Sequence, residues 1–286
     1  MTVILRAEKL SKRFGGLKAV DSVDLELSAG EILGVIGPNG AGKTTLFSMI
    51  AGSIPPTAGR VLLEDKVISG GSPRRAVRAG VVRTHQIVRP FQNLTVLENV
   101  MVGAIYGKAR PLGARERALD LLDFCALRDR ASQLPGGLTL AGRKRLELAR
   151  ALATEPRVLL LDEVIAGVNP AEALQMTDLI RSVREKRRLS IILIEHVMPA
   201  VMRLSDRVIV LDAGKKIAEG KPQQVVKDPR VIAAYLGESA SAEAPGQAGS
   251  AASPTPTSAA APASLPTPHS NPTPTSVPRK GPGGKQ

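Results

Sequence analysis

The chain has 286 residues and a formal net charge of +13, and its 43% apolar and 23% charged residues are typical of a soluble globular protein with a sizeable core. Its single cysteine excludes an internal disulfide framework and a cysteine-based zinc site. No apolar run approaches the roughly 18 residues of a membrane span, and with 2% aromatic residues the chain is poorly equipped to bind nucleic acid by base stacking.

Short apolar segments alternate with helical patterns, which predicts an α/β fold. The predicted strands cover residues 3–5, 23–27, 32–36, 61–63, 66–68, 158–161, 191–194 and 208–211. The predicted helices cover residues 43–51, 143–154 and 171–188, together with a helical stretch over 95–134 that Pro111 and Gly113 interrupt. The segments 158–161 and 191–194 are entirely apolar, as expected for strands of a parallel sheet that is buried on both faces.

The C-terminal stretch, residues 238–286, differs from the rest of the chain. It is rich in Pro, Ala, Ser and Thr and contains very few large apolar side chains. Such a segment buries too little apolar surface to offset the entropy lost on ordering, so we expect a disordered tail. Residues 1–237 are therefore expected to form the folded domain.

Residues 37–44 read GPNGAGKT and match the phosphate-binding pattern G-x-x-x-x-G-K-[ST] at every specified position. The motif follows a predicted strand and precedes a predicted helix, which is the context that phosphate binding requires. The glycines allow backbone amides to turn toward phosphate oxygens, and the helix N-terminus adds partial positive charge. We expect Lys43 to reach the β- and γ-phosphates and the Thr44 hydroxyl to hold Mg²⁺. The motif predicts a nucleoside-triphosphate site.

Two carboxylates, Asp162 and Glu163, directly follow the apolar strand predicted at 158–161. The carboxyl ends of parallel strands form the usual binding edge of an open α/β sheet. We expect Asp162 to hold Mg²⁺, directly or through water. Glu163 is then expected to polarise the attacking water as a general base.

Together with these two motifs, several further segments make the chain resemble the ATP-binding subunits of ABC transporters over roughly residues 3–237. The segments are LSKRFGGLKA at 10–19, TVLENVMVG at 95–103, RLELARALAT at 145–154, LLDEVIAGVNP at 160–170, IEHVM at 194–198, DRVIVLDAGKKIAEGKPQQV at 206–225 and AAYLG at 233–237. Within that family the chain looks most like the cassettes of LIV-type importers, which move branched-chain amino acids. The resemblance implies a P-loop NTPase fold with a RecA-like core, an antiparallel β subdomain and an α-helical subdomain at about 95–150.

The resemblance also implies roles for individual residues. Phe14 matches the aromatic residue that stacks on adenine, and Gln86 matches the Q-loop glutamine that contacts Mg²⁺ and water and senses the permease. Glu163 matches the catalytic base, and His196 matches the switch histidine that contacts the γ-phosphate. The residues implied for Mg²⁺ are Thr44, Gln86 and Asp162. The residues implied for ATP are Phe14, Gly37, Pro38, Asn39, Gly40, Ala41, Gly42, Lys43, Thr44, Thr45 and Gln86.

The chain departs from the family pattern at the signature motif, where most cassettes carry Leu-Ser-Gly-Gly-Gln and residues 138–142 here read LTLAG. The signature offers a hydroxyl and glycine amides at a helix N-terminus to the γ-phosphate bound by the opposite subunit. Leu140 places a bulky side chain where backbone should approach phosphate. Val164 also replaces the usual proline, and Asn169 the usual D-loop aspartate. We therefore expect a heterodimer with a second cassette, in which one ATP site is efficient and the other weak.

The implied protein is an ATPase at the cytoplasmic face of the membrane, coupled to two transmembrane permease subunits and through them to a periplasmic or extracellular solute-binding protein. The surface around residues 86–93 and the helices up to residue 134 are expected to dock the permease. Two alternatives remain open: a non-hydrolysing regulatory cassette of the same complex, and a cassette for urea or amide import or lipopolysaccharide export. A nucleic-acid partner is not expected, so the basic runs at 143–145 and 186–188 are interpreted as solvated helix faces.

Overall fold

The structure, a computed structural model, describes residues 2–107 and 112–242, and the strands of that part of the chain form two sheets. All of these residues lie within the compact unit Met1–Ala244. The tail predicted at 238–286 lies outside the described residues from residue 243 onward. Its first residues, up to Ala242, continue the last helix.

The first sheet is antiparallel, with strand order β2-β1-β4-β5. Its strands are β1 (Val3–Phe14), β2 (Leu17–Ser28), β4 (Ala58–Leu63) and β5 (Lys66–Val67). Burial alternates along β2, where Val23, Leu25 and Leu27 point into the core between exposed or partly exposed residues. That alternation is expected of a sheet with one solvated face.

The second sheet has the order β10-β9-β3-β8-β7-β6. Its strands are β3 (Ile32–Ile36), β6 (Val81–Arg83), β7 (Val158–Asp162), β8 (Ser190–Ile194), β9 (Arg207–Asp212) and β10 (Lys215–Gly220). The pairings from β9 through β6 are parallel, and β10 is antiparallel to β9. Every residue of β3, β7 and β8 is buried, as their apolar sequences predict. Because β3, β8 and β7 run parallel, their carboxyl ends meet at one edge of the sheet.

The helices of the described residues are α1 (Lys43–Ile50), α2 (Pro73–Ala79), α3 (Val96–Tyr106), α4 (Ala114–Phe124), α5 (Leu140–Leu152), α6 (Pro170–Arg187), α7 (Met198–Leu204), α8 (Pro222–Val225) and α9 (Pro229–Ala242). The α-helical subdomain contains α3, α4 and α5, which pack on one another. Within the described ranges, no helix has the length and apolar character needed to cross a membrane. The predicted α/β class with a P-loop core is confirmed.

Capping residues set where three of these helices begin. Thr95 and Asn169 each form a capping box with the glutamate three residues later, at the starts of α3 and α6. Asn169, which stands in place of the usual D-loop aspartate, is thus the N-cap of α6. The helix predicted at 143–154 begins earlier, at Leu140, because the Thr139 side chain accepts a hydrogen bond from the Gly142 amide.

The parallel sheet separates two apolar clusters. Along β7, Leu159 and Leu161 pack into the cluster that includes α3 to α6, whereas Val158 and Leu160 pack into the cluster that includes α1 and the antiparallel sheet. Cys125 is buried in the first cluster, and burial raises the pKa of its thiol to about 12, as expected of a small buried hydrophobe. With both faces covered, the functional groups are confined to the carboxyl edge of the sheet.

Candidate functional site

The loop between β3 and α1 takes a backbone shape that requires glycine. Gly37, Gly40 and Gly42 have φ angles of 147°, 76° and 98°. A Cβ atom on Gly37 would lie 2.0 Å from the Leu211 carbonyl oxygen, and one on Gly42 would lie 2.3 Å from the Ala19 carbonyl oxygen. The loop is therefore packed directly against the backbone of neighbouring strands, which holds its amides in place.

Lys43 lies at the start of α1 and reaches back over this loop. Its Nζ atom donates to the carbonyl oxygens of Gly37, at 2.6 Å, and Pro38, at 2.7 Å. The N-cap residue of α1 is Gly42, so no side chain caps the helix there. A helix start with uncapped amides and a nearby ammonium group is an anion-binding arrangement.

A cleft of about 570 Å³ opens above the loop. The half-exposed ring of Phe14 lies at the end of β1, with the Lys12 ammonium 5.3 Å from its centre. The residues lining the cleft are Phe14, Leu17, Lys18, Ala19, Asn39, Gly40, Ala41, Gly42, Lys43, Thr44, Thr45, Gln86, Glu163, Ala213 and Gly214. The cleft thus joins an aromatic ring, the phosphate-binding loop and a carboxylate. Gly37, Pro38, Asp162 and His196 are predicted site residues that do not line it.

Asp162 is buried at the end of β7 and has one oxygen paired and one unpaired. Its Oδ2 atom accepts from Arg83 Nη2 at 2.6 Å, and the other Arg83 terminal nitrogen donates to Ser48 Oγ at 2.8 Å. Its Oδ1 atom is also buried and has no hydrogen-bond partner among the described residues. A buried carboxylate oxygen without a donor is costly, and oxygen ligands of this kind suit Mg²⁺.

Glu163, Gln86 and His196 come together beside Asp162, although they are far apart in sequence. Gln86 Nε2 donates to Glu163 Oε2 at 2.8 Å, and His196 Nδ1 lies 3.8 Å from Glu163 Oε1. The Glu163 side chain is 21% exposed and that of His196 is 61% exposed. A carboxylate, an amide and an imidazole therefore meet next to the phosphate-binding loop, where a water molecule has access.

A buried charged cluster lies beneath these residues, and the sequence interpretation missed it. Lys144 on α5 is 5% exposed, so the view of residues 143–145 as a solvated helix face is wrong at its central residue. Burial lowers the pKa of Lys144, and the nearby carboxylates of Glu195, Glu163 and Glu147 partly oppose this shift. Burial raises the pKa of Glu147 and raises that of Glu195 to about 7.

The sequence carried a signal for this cluster. Glu195 directly follows the apolar strand β8, as Asp162 ends the apolar strand β7. Lys144 and Leu148 are four residues apart and lie on the same buried stripe of α5. A charged residue on the apolar face of a helix, or at the end of a buried strand, indicates a buried charge that other groups in the fold must stabilise.

The altered signature lies at the start of α5. Thr139 is the N-cap and Leu140 is 45% exposed. A cavity of about 240 Å³ adjoins it. Its lining residues are Ala126, Leu127, Arg130, Gly137, Leu138, Thr139, Ala141, Gly142, Arg145, Glu172 and Gln175, none of which lines the cleft above the phosphate-binding loop.

Comparisons with known proteins agree with this geometry. Residues 20–166 match the family model described as ABC transporter, and residues 215–241 match the one described as branched-chain amino acid ATP-binding cassette transporter. The high-affinity branched-chain amino acid transport ATP-binding protein LivG of Escherichia coli K12 is 41% identical over 250 residues, covering 82% of this chain and 98% of LivG. The corresponding protein BraF of Pseudomonas aeruginosa is 38% identical over the same shares.

Solved structures show the same similarity. A nucleotide-free ATP-binding cassette from an ABC transporter is 34% identical, with a TM-score of 0.74 over 82% of this chain and 99% of that one. An ATP-binding cassette of an ABC transporter in its ADP conformation is 33% identical, with a TM-score of 0.76 over 83% of this chain and all of that one. This chain therefore belongs to the ABC transporter family, in which it is an ATP-binding subunit with ATPase activity coupled to transport.

Proposed function

We propose that this subunit powers the uptake of branched-chain amino acids or related small polar solutes through a separate permease. The observation that carries the proposal is the match of residues 215–241 to the branched-chain amino acid cassette model. That segment comprises β10, α8 and most of α9, and it lies outside the part matched by the general ABC transporter model. The LivG and BraF relatives, whose names specify branched-chain amino acid transport, support the same solute class.

In the proposed hydrolysis step, Glu163 is the general base that orients and deprotonates the attacking water. Gln86 holds one oxygen of that carboxylate, which leaves the other directed toward His196. His196 contacts the γ-phosphate, and the loop amides with Lys43 bind the remaining phosphate oxygens. In this arrangement catalysis rests mainly on positioning and charge stabilisation.

The adenine and the metal have their own proposed contacts. The exposed face of Phe14 stacks on adenine at the far end of the cleft. Thr44, Gln86 and Asp162 would hold Mg²⁺, and the unpaired Oδ1 atom of Asp162 fits that assignment. When bound, Mg²⁺ would neutralise charge on the β- and γ-phosphates.

The proposed partners are a second cassette and two transmembrane permease subunits, with a periplasmic or extracellular solute-binding protein acting through the permease. This places the chain at the cytoplasmic face of the membrane. The cavity at the signature shares no lining residue with this chain's own nucleotide cleft, which fits a signature that serves the ATP of a second subunit. The LTLAG sequence supports a heterodimer in which that shared site is weak.

The solute class is tested by reconstituting the chain in vesicles with a permease pair, a second cassette and a solute-binding protein from the same organism. We expect leucine, isoleucine or valine bound to the solute-binding protein to stimulate ATP hydrolysis. Stimulation by urea or a short amide, with none by these amino acids, would contradict the proposal.

The role of Glu163 is tested with Glu163→Gln, which keeps the shape of the side chain and removes the base. We expect turnover by the complex to fall by at least about 100-fold, in the range seen for general bases, while ATP binding by the chain is retained. Unchanged turnover would show that another group activates the water.

The asymmetry of the dimer is tested by measuring ATP turnover by the chain alone and with the second cassette. We expect the mixture to hydrolyse ATP faster than the chain alone. The reason is that the partner's signature completes the site in which this chain's own loop binds ATP. Equal rates with positive cooperativity in the chain alone would contradict the heterodimer.

A further inference from the structure

The buried face of α5 touches the peptide that carries Glu163. Lys144 Nζ donates to the carbonyl oxygen of Glu163 at 2.8 Å and to that of Ala166 at 2.5 Å. One ammonium group therefore holds both ends of the turn that follows β7. The turn connects the proposed general base to the loop that leads into α6.

This turn needs an external hold because Glu163 has a left-handed backbone conformation. Its φ is 49°, a region that costs a residue with a side chain free energy and persists only where its surroundings enforce it. The Glu163 amide donates to the Ile194 carbonyl oxygen at 3.0 Å. Lys144 binds the carbonyl oxygen of Glu163, so the residue is held on both sides of its Cα atom and the direction in which its side chain leaves the backbone is set.

Glu147, one turn further along α5, holds the other half of the same constellation. Its Oε1 atom accepts from the backbone amide of His85 at 2.6 Å. The next residue is Gln86, whose side-chain amide donates to the Glu163 carboxylate at 2.8 Å. The helix therefore contacts both the peptide of Glu163 and the segment that carries its hydrogen-bonding partner.

Packing alone does not explain a lysine at this position. An apolar side chain would fill the space without the desolvation of an ammonium group, and replacing buried charges by apolar groups is often neutral or stabilising. The cluster instead surrounds Lys144 with carboxylates, and one of them, Glu195, accepts from the Ile165 amide at 2.7 Å in the turn that Lys144 spans. The charges are thus directed at the backbone of the catalytic turn.

We propose that Lys144, supported by Glu147, is a positioning residue that sets the Glu163 carboxylate for water activation and links the position of the signature helix α5 to it. This rests on the proposed role of Glu163 as the general base. Lys144 does not line the nucleotide cleft, so it acts through the geometry of the turn. A displacement of α5 is passed to Glu163 through the Lys144 contacts and to Gln86 through Glu147.

The test compares Lys144→Met and Lys144→Arg in the assembled complex. We expect Lys144→Met to lower kcat by about 10- to 100-fold with the KM for ATP changed less than about threefold, because misplacing a catalytic group by about 1 Å costs rates of this order. Lys144→Arg should recover part of kcat, because its guanidinium still donates to both carbonyl oxygens. Lys227→Met, at an exposed lysine after α8, is the matched control and should leave both constants unchanged.

A double-variant comparison separates positioning from general stabilisation. With Glu163→Gln already present, Lys144→Met should lower turnover little further, because both changes act on one carboxylate. The proposal would be overturned if the fold-loss in turnover of the double variant equalled the product of the losses of the two single variants. It would also be overturned if Lys144→Met had the same kcat as the unsubstituted chain. If Lys144→Met does not fold, the comparison of Lys144→Arg with Lys144→Gln takes its place. Equal kcat values for these two variants would also overturn the proposal.

The same measurements keep the two proposals apart. Normal turnover by Glu163→Gln contradicts the general-base assignment, whatever Lys144 does. Loss of turnover by Glu163→Gln together with normal turnover by Lys144→Met contradicts only the positioning role.

Discussion

Two helix starts in this protein, those of α1 and α5, are each proposed to face the phosphates of an ATP molecule. They differ in how their first backbone amides are satisfied. At α1, Gly42 leaves the first amides without a side-chain cap, and the loop before it is held by close backbone packing. At α5, the Thr139 hydroxyl accepts a hydrogen bond from the Gly142 amide, and the Leu140 side chain is about half-exposed. The first start is arranged to receive phosphate, whereas the second is arranged as an ordinary capped helix. This contrast fits the proposal that the chain binds ATP with its own loop and offers a weak half-site to a partner cassette.

The largest expected effect is a loss of ATP affinity on replacing a glycine before α1, with no such loss on replacing a glycine in α5. In Gly37→Ala, the new Cβ atom meets the Leu211 carbonyl oxygen at 2.0 Å, so the loop has to move off β9. Overpacking of this kind costs about 1–3 kcal/mol. Because the displaced loop carries the proposed phosphate contacts, we expect ATP affinity to fall by on the order of 100-fold, measured by titration with a fluorescent ATP analogue.

The matched control for that change is Gly142→Ala in α5. Its Cβ atom would meet Leu138 Cβ at 3.3 Å, a contact that a small shift relieves, and alanine favours the helix by about 1 kcal/mol. ATP affinity should therefore be retained. Comparable losses from the two substitutions would remove the contrast between the regions.

The second prediction concerns Glu195, which lies beside Lys144 of α5 and accepts a hydrogen bond from the Ile165 amide. Burial raises its pKa from 4.5 to about 7, so the folded protein binds more protons than the unfolded chain between these values. The free energy of unfolding therefore falls as the pH rises through that window. At roughly 1.4 kcal/mol per pKa unit, Glu195→Gln should stabilise the protein by up to about 3 kcal/mol at pH 8 and by little at pH 4.5.

Thermal unfolding at the two pH values checks this prediction. Tm should rise in Glu195→Gln at pH 8 and stay close to that of the unsubstituted chain at pH 4.5. An equal shift at both values would show that the carboxylate does not titrate in this window.

The third prediction tries to restore the altered half-site. Leu140→Gly removes the exposed side chain and opens the backbone at the start of α5. If this residue weakens the shared site, ATP turnover by the chain alone should rise by on the order of 10-fold, part of the contribution typical of backbone donors to a reacting anion. Turnover that does not change would place the weakness elsewhere in the signature.

The smallest expected effect tests the cap itself. Thr139→Ala should lower the free energy of unfolding by about 1 kcal/mol, the usual cost of losing an N-cap. Thr95→Ala, at the capping box of α3, provides a matched comparison. If Thr139→Ala left Tm unchanged but weakened ATP-dependent association with the second cassette, its hydroxyl would serve the ligand rather than the helix.

The amino-acid sequence was sufficient for the parts of the site that depend on local pattern. The glycine-rich loop between an apolar strand and a helix was evident, and Gly37, Gly40 and Gly42 take the left-handed backbone conformations that favour glycine; its role in binding phosphate stays a prediction. The buried strands β3, β7 and β8 were evident from continuous apolar runs. The strands β6 and β10 were missed, since β6 is short and β10 is half-exposed and charged.

The tertiary structure alone decided which polar groups meet. Gln86, Glu163 and His196 come from three distant segments, and only the order of β6, β7 and β8 in the sheet brings them within reach of one another. The burial of Lys144, which the sequence presented as part of a basic run, depends likewise on the packing of α5 beneath the turn after β7. Local sequence determines backbone conformation, whereas the distance between two charges depends on how strands and helices from the whole chain pack together.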